Sequence, residues 1–463
     1  MRINEVNLDD RQDLTFRFRS VEKVLKYKEL ENSEIYFCPF EQEDDVLEGE
    51  LNLYWQADEV LWDNFFAHYF IVYFTHYSVL VLEDEDKREI PKKIMWQQTR
   101  SRYNMNGLIN KFLDCDIVRV VKKLVMANDH KISPEEMRLY LKLIHFGAIT
   151  VIGRVRGCEL PSSEKRLNGN WDEAIKKIDW TKTQEKGEFH VFEMIYKEIG
   201  EELIGDNLKD WQRWLLLDFP ECYFDVLKEM VFPKWYIASF CKKCTDTRNW
   251  AQYGDFHRGV CLIFRTHQGA MGRGMNLKTC REYSSSKGRI IRNHIEPLKE
   301  VKYTSSFPAI NFFEMLGCIP GMMIEEWYRG SNGTCSKYYI KRNSAEWEEW
   351  HHRYWQMFEF LVTNKGEAWH DLAEERIVLE NLFFEDYESD ISNRKIQYDF
   401  EELQGIIWGY ATTEDDKKAI REKIEELCRK NGRSGFPFYQ VIKNPANREF
   451  VIEKELLLGQ KMI

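Results

Sequence analysis

Strand-like patterns lie far apart along this chain, and that spacing limits the folds open to it. Residues 14–20, Leu-Thr-Phe-Arg-Phe-Arg-Ser, alternate apolar and polar, which predicts a strand with Phe16 and Phe18 facing inward. A short helix over 21–30, a strand over 35–38 and an acidic loop over 41–50 follow. Strand patterns return only near 236–240, 260–264, 300–304, 376–379 and 405–408. The intervening stretch is helical in pattern. Leu61, Phe65, Phe66 and Tyr69 recur in steps of three and four, and helical patterns continue over 107–127 and around Trp171 and Trp211. Ser133 with Pro134 and Glu136 combines an N-cap, a proline at the first helical position and a capping-box glutamate. Residues 345–362 carry an aromatic stripe of Trp347, Trp350, His351, Tyr354 and Phe358. A last helix over 414–430 opens on Asp415 and Asp416 and closes on Arg429 and Lys430, with Gly432 just beyond. The expectation is one α+β domain over 1–463, with a small mixed or split β-sheet core. A large helical insertion occupies 55–232, and 233–463 completes the core with its closing helix.

Composition narrows the function classes. Hydrophobic residues make up 43% of the 463 and aromatics 14%, enough for a substantial core and against wholesale disorder. A net charge of −11 argues against a chain built to coat nucleic acid. One local exception stands between Gly272 and Lys302, where eight Lys/Arg meet three Glu, as a solvated face or a phosphate-binding patch would. The 11 cysteines are odd in number and scattered, which suits free thiols in a reducing cytoplasm. Cys241 and Cys244 form a lone Cys-x-x-Cys without a second pair at zinc spacing, so no metal site is assigned. The N-terminal residues show no apolar signal-peptide core. Residues 65–82 carry no Asp, Glu, Lys or Arg, yet they include His68 and His76 and run straight into acidic residues. A helix buried inside a protein fits that pattern better than a membrane span. His68 and His76 read as core histidines with satisfied hydrogen bonds. Adjacent His351 and His352 point to different helix faces and do not suit joint ligation.

The segment 235–264 carries the densest cluster of candidate side chains. A strand reaches Ser239-Phe240, a turn of helix carries Trp250, Tyr253 and His257 at i, i+3 and i+7, and Gly259 precedes an apolar strand over 260–264. Such a segment either packs a core or walls a cleft. No Walker loop, Gly-x-Gly-x-x-Gly, His-Glu-x-x-His or nucleophile elbow occurs, which removes the commonest NTPase, Rossmann, zincin and esterase readings.

Several anchors in this order resemble the bacterial domain-of-unknown-function family 2971. They are the Phe16-Arg-Phe-Arg-Ser20 strand, the strand at 35–37, Asp44-Asp45-Val46-Leu47-Glu48-Gly49, and Ser239-Phe240 with Trp250-x-x-Tyr253-x-x-x-His257-x-Gly259. Lys365, Trp369, Glu374-x-Arg376 and the 405–409 strand complete the set. Asp44 and Val46 depart from the usual Asn and Pro, and Leu372 stands where an acidic residue is common. The anchor order is similar to the ADP-ribosyltransferase layout. That resemblance implies that Arg17 or Arg19 holds the NAD pyrophosphate, Ser239 supports the nicotinamide-ribose pocket, and Glu374 takes the ribose hydroxyl. Trp250, Tyr253, His257 and Arg376 would complete the cofactor-binding walls. It further implies a cytoplasmic, NAD-consuming transferase or glycohydrolase in bacterial anti-phage defence. NAD would be its substrate, a protein or nucleic acid its possible target, and no membrane would be involved. Two other classes remain open: a non-enzymatic sensor gripping a peptide or nucleotide in an aromatic cleft, and a nucleic-acid-processing enzyme using Asp45, Glu48 and Glu374 around a divalent metal.

Overall fold

The computed structural model describes residues 5–84, 87–99, 105–127, 130–156, 209–284, 286, 288–380, 387 and 390–455, and shows a mixed α+β protein. Its contacts divide the chain into two units. The first comprises Met1–Glu50, Lys234–Phe307 and Met357–Ile463; the second comprises Leu51–Pro233 and Pro308–Gln356. The second unit therefore takes in 308–356 as well as the helical stretch expected over 55–232.

The first unit is organised on a nine-stranded sheet: β1 (Leu14–Arg19), β2 (Cys38–Pro39), β3 (Trp235–Cys241), β4 (Val260–Arg265), β5 (Lys299–Glu300), β6 (Glu374–Glu380), β7 (Leu403–Trp408), β8 (Phe438–Asn444) and β9 (Glu449–Lys454). The spatial order is β5-β6-β3-β1-β4-β7-β8-β9, all antiparallel except the parallel β7–β8 pair. The short β2 lies off this path on β3. Strand β3 thus shares one edge between two partners: Cys241 registers with Phe16 of β1, while Ile237 and Tyr236 register with β2. Where β1 and β2 part, β3 has no ladder partner on that edge among the described residues, and the Arg17 guanidinium fills the gap. It donates to the carbonyls of Ser239 and Tyr36, each at 3.2 Å.

Alternation along the strands sorts the side chains onto two faces. Phe16, Phe18, Cys241, Trp250, Cys261 and Ile263 pack on one, while Tyr236, Phe240, Leu262, Phe264, Ile377 and Ile406 pack on the other. An alternating Phe-Arg-Phe-Arg pattern predicts outward arginines on a half-exposed strand. Instead β1 is central, with β3 and β4 on either side, so Thr15 and Arg17 are buried as well as Phe16 and Phe18. The closing helix Glu414–Asn431 covers the second face with Ile420, Ile424 and Leu427 and ends on Gly432 at φ +67°, the left-handed cap its sequence announces.

A long hairpin, Gly272–Ser284 with Gly288–Pro297, forms the body of a second, smaller sheet. It carries much of the basic run, and the charges are met locally. Arg281 pairs with Glu296 at 2.7 Å, Lys278 with Asp399 at 2.8 Å, and Arg273 grips both Glu375 oxygens.

The second unit is mainly helical. Helix Glu59–Leu82 starts on Asp58, whose carboxylate accepts from the Leu61 N–H at 3.1 Å. It is long and apolar enough to cross a membrane by length and composition, but 72% of that window is buried inside the protein. Aromatic rings of Trp62, Phe65, Tyr69 and Tyr73 pack it against Phe219, Tyr223, Phe312 and Phe313. His68 and His76 are core residues here. His76 accepts from the Met95 N–H through Nε2 and so donates Nδ1–H to the Val72 carbonyl, which fixes a neutral tautomer. His68 spans Tyr223 and the Trp96 carbonyl, both at 2.8 Å. Helix Pro134–Arg156 begins with the capping box its sequence announces: Ser133 N–H donates to Glu136 Oε2 at 2.8 Å and Glu136 N–H to Ser133 Oγ at 3.2 Å. The helical piece expected around Trp171 lies outside the described residues.

Candidate functional site

Strand β6 brings together the most concentrated buried charge in the first unit. Glu374 and Arg376 are two apart and share a face; Ser239 of β3 registers opposite Arg376 and shares it too. Glu374 Oε1 consequently accepts from Ser239 Oγ and from Arg376, both at 2.7 Å. Lys365 enters from a short strand, Asn364–Gly366, paired in parallel with Lys302–Thr304, and donates Nζ–H to Glu374 Oε2 at 2.7 Å. Glu48, from the acidic loop, completes the ring. One oxygen takes an Arg376 N–H, and the other lies 3.2 Å from Lys365 Nζ. Glu43 stands 3.9 Å from Nζ and accepts from the Cys38 thiol. Lys365 and Arg376 are 2% and 1% exposed, so these pairs are dry.

Dryness sets the electrostatics. Burial by itself raises the Glu374 pKa, but the charges of Arg376 and Lys365 and the bonds from Lys365 and Ser239 outweigh it and hold the group at about 2. Glu374 is therefore ionised at neutral pH. Burial pushes Glu43 the other way, up from its ordinary value. Removing either cation or carboxylate leaves a desolvated charge short of a partner, the costly way to break such a network.

Backbone geometry next to Glu374 is also unusual. Ala373 is left-handed at φ +47°, a conformation that costs a residue with a Cβ about 1–2 kcal/mol. Strain of this kind gathers at functional sites, and here it turns the chain from the Glu367–Leu372 turn into β6. The Glu374 N–H reaches the Tyr303 hydroxyl at 3.3 Å. Trp369, half-buried, lies with its ring 5.7 Å from Lys365 Nζ.

The remaining sequence candidates fall into three groups. Arg17 touches Ser239 only through the main chain; its guanidinium packs over Phe240, on the face opposite the Ser239 hydroxyl. Burial and the neighbouring Arg19 lower its pKa to about 10. Arg19 is paired with Glu29 through Nε at 3.0 Å and a second contact. Neither arginine faces the Glu374 side. Trp250 is wholly buried, donates its indole N–H to the Cys244 carbonyl at 2.7 Å, and meets the Phe18 ring edge-on at 4.9 Å. Tyr253, half-buried, packs on the sheet face that carries Cys241, which registers with Glu374, and its phenol pKa is raised by burial and by the Glu374 charge.

A single helix face for Trp250, Tyr253 and His257 is not what forms. The helix covers only Thr247–Gln252, and Asp255, Phe256 and His257 then turn left-handed at φ +49°, +51° and +69°. The cause is close packing beyond the helix. The His257 carbonyl accepts from the Ala411 N–H at 2.8 Å, and a Cβ on Gly409 would come within 2.3 Å of that same oxygen.

Of the alternative metal set, Glu48 and Glu374 do meet, but Asp45 sits in the loop turn and accepts from the Leu47 N–H at 3.0 Å. Lys365 and Arg376 already lie between the two glutamates, so a divalent ion there would face two fixed positive charges. Among the described residues no group of three or more His, Cys, Asp or Glu has a metal-holding arrangement. Cys241 and Cys244 are buried free thiols whose pKa values burial raises well above the ordinary range, and Cys244 Sγ donates to Asp9.

The low pKa of Glu374 carries a stability prediction. Its folded value lies below its unfolded one, so its contribution is complete above about pH 4.5 and is lost as the pH falls toward 2. Its loss should amount to ~3 kcal/mol over that window. Glu43 acts with the opposite sign and does not add to it. Denaturation of wild type and Glu374→Gln from pH 6 down should show the stability difference shrinking by that amount. A difference that stays constant with pH would mean that Glu374 is not held ionised.

Compared with family models, curated proteins and solved structures, the chain finds no match. The functional reading therefore rests on the geometry just described and on the anchors in the sequence.

Proposed function

We propose that the protein consumes NAD, as an ADP-ribosyltransferase or NAD glycohydrolase, with Glu374 as its central catalytic group. The observation that carries this reading is the contact between Ser239 Oγ and an ionised Glu374 on adjacent strands of a sheet that divides at β1 and β2. An ADP-ribosyltransferase-like split sheet, with membership of the resembling bacterial family, is the finer fold assignment that goes with it. Breaking the nicotinamide–ribose bond sends its electron pair to the nicotinamide nitrogen and leaves positive charge on the sugar. A fixed carboxylate in a dry site stabilises that charge most strongly. Water or an acceptor hydroxyl then bonds to the anomeric carbon and gives up a proton.

With its pKa near 2, Glu374 serves as an anionic stabiliser rather than a strong base. Ser239 and Lys365 orient it. Arg17 is a positioning residue in this scheme, holding the Ser239 carbonyl where β1 and β2 part. Cytoplasmic NAD, a protein or nucleic-acid acceptor and a role in anti-phage defence follow from the resemblance and are part of the proposal.

The test is nicotinamide release from NAD by purified protein, with and without lysate, alongside mass labelling of acceptors. Glu374→Gln should lower turnover by about 10²–10³-fold, as loss of one electrostatic stabiliser does. Turnover within threefold of wild type, in a variant whose circular dichroism is unchanged, would remove Glu374 from the reaction. Nicotinamide release that neither protein shows would remove NAD.

A further inference from the structure

We infer that Lys365 and Arg376 form an anion-binding site for a diphosphate, and that Glu48 occupies it as an internal stand-in until such a ligand displaces it. In naming a nucleotide diphosphate the inference rests on the functional reading above; the displacement itself rests on geometry.

Both cations are almost fully buried; Arg376 is shared between Glu374 and Glu48, and Lys365 among Glu374, Glu48 and, at 3.9 Å, Glu43. Glu374 belongs to strand β6, paired along its length with β3, and is also held through its side chain by Ser239 and through its N–H by the Tyr303 hydroxyl. Glu48 comes from a loop. Its turn is closed by local bonds, Glu48 N–H to the Asp45 carbonyl at 3.0 Å and Glu50 N–H to the Leu47 carbonyl at 3.3 Å. The side chains at its tip are in solvent: Val46 is 86% exposed and Leu47 75%. A long 3.4 Å bond from Gln252 to Asp44 ties it to the neighbouring helix. Gly49 ends the turn at φ +74°, with its α-carbon against the Phe40 ring, where a Cβ would come within 2.3 Å.

The fit of Glu48 to the cations is also incomplete. Buried Arg376 Nε lacks a hydrogen-bond partner among the described residues, and Glu48 Oε2 has only the ion pair with Lys365 at 3.2 Å, outside hydrogen-bond geometry. A carboxylate offers two oxygens to a guanidinium fork and an ammonium that could together engage more. A diphosphate carries more charge and more acceptors on a longer span, and Arg and Lys are the side chains that bind it best. Leaving an orphan N–H on a buried guanidinium costs free energy that a better-matched anion recovers. The ligand moves the loop only because it binds the vacated cations and not the occupied ones. Arg17 and Arg19 cannot take this role as they stand, since the first is bound to two carbonyls and the second to Glu29.

The test uses the full chain with ADP, inorganic pyrophosphate and adenosine as probes, measured by calorimetry for wild type and Glu48→Gln. Expected is at least tenfold tighter binding of ADP by the variant, with no gain for adenosine. A similar gain for pyrophosphate would place the recognition in the phosphates alone, and its absence would require the nucleoside as well; both support the site. In wild type, ADP should increase cleavage by a Glu-specific protease within residues 43–50, read by mass spectrometry. This second measurement decides the matter if Glu48→Gln does not fold. ADP binding that is no tighter in a folded variant, or wild-type cleavage that ADP leaves unchanged, overturns the inference. Tighter ADP binding without any NAD cleavage would keep the anion site and discard the NAD reading. NAD cleavage equal in wild type and variant, with no tightening, would do the reverse.

Discussion

Arg376→Met destabilises the first unit by about 3–5 kcal/mol, because it strands two carboxylates in a dry site. Arg376 binds Glu374 and Glu48 at once and also donates to the Val362 carbonyl at 3.1 Å. Methionine matches the length of the stem but meets none of these acceptors. For a unit of this size the loss corresponds to a fall of about 10 °C in melting temperature. Denaturant unfolding of wild type, Arg376→Met, Glu48→Gln and the double variant measures it. The double variant should be more stable than the sum of the single losses by about 1–3 kcal/mol, since removing both partners leaves fewer charges stranded. Additive losses would show that the two side chains do not form a pair in solution.

Trp250→Ala costs about 3–5 kcal/mol, the range for emptying a buried aromatic site. The ring has no exposed surface, so its removal opens a cavity beside Phe18 and deprives the Cys244 carbonyl of its donor. Trp250→Phe keeps a ring but loses that bond, and should cost roughly 1–3 kcal/mol. The comparison separates two roles for the residue. As a structural plug, Trp250 is read by melting temperature, and ligand affinity falls only as folding does. As a pocket wall it would lose affinity while the melting point held, and that outcome would contradict the burial seen here.

The periodicity of the sequence conveys the strands at β1, β3, β4, β6 and β7 and the helices at Pro134, Ala345 and Glu414, because each has a strong apolar repeat or a cap. It conveys much less of the long hairpin. In Gly272–Ser284 and Gly288–Pro297 charged residues interrupt the alternation and are neutralised either across the hairpin, as Arg281 by Glu296, or by other segments, as Lys278 by Asp399, so the segment reads as a basic run. Strands β8 and β9 likewise carry no clear alternation in the sequence, although Phe438, Val441 and Ile452 are buried. Ser239, Glu374 and Arg376 were legible as candidates, and i, i+2 spacing does place the last two on one face. The acids Glu43 and Glu48 carry no local pattern that ties them to Glu374, since they meet it from a loop more than three hundred residues away, whereas Lys365 lies only nine residues before it. Arg17 shows the limit of a periodic argument. Alternation assigns its face correctly but cannot tell a central strand from an edge, and only the central position buries it.

The central place of β1 has a consequence for how the chain is made. Its two neighbours, β3 and β4, lie at Trp235–Cys241 and Val260–Arg265, so β1 leaves the ribosome long before either exists. At roughly 5–20 residues per second that wait lasts on the order of ten seconds or more. During it an apolar strand with two unpaired edges is exposed to other nascent chains, the condition under which strands aggregate. Arg17 and Arg19 sit inside that strand as charges that oppose stacking of one copy on another. Replacing both with apolar residues should therefore reduce soluble yield during synthesis by more than the loss in equilibrium stability accounts for.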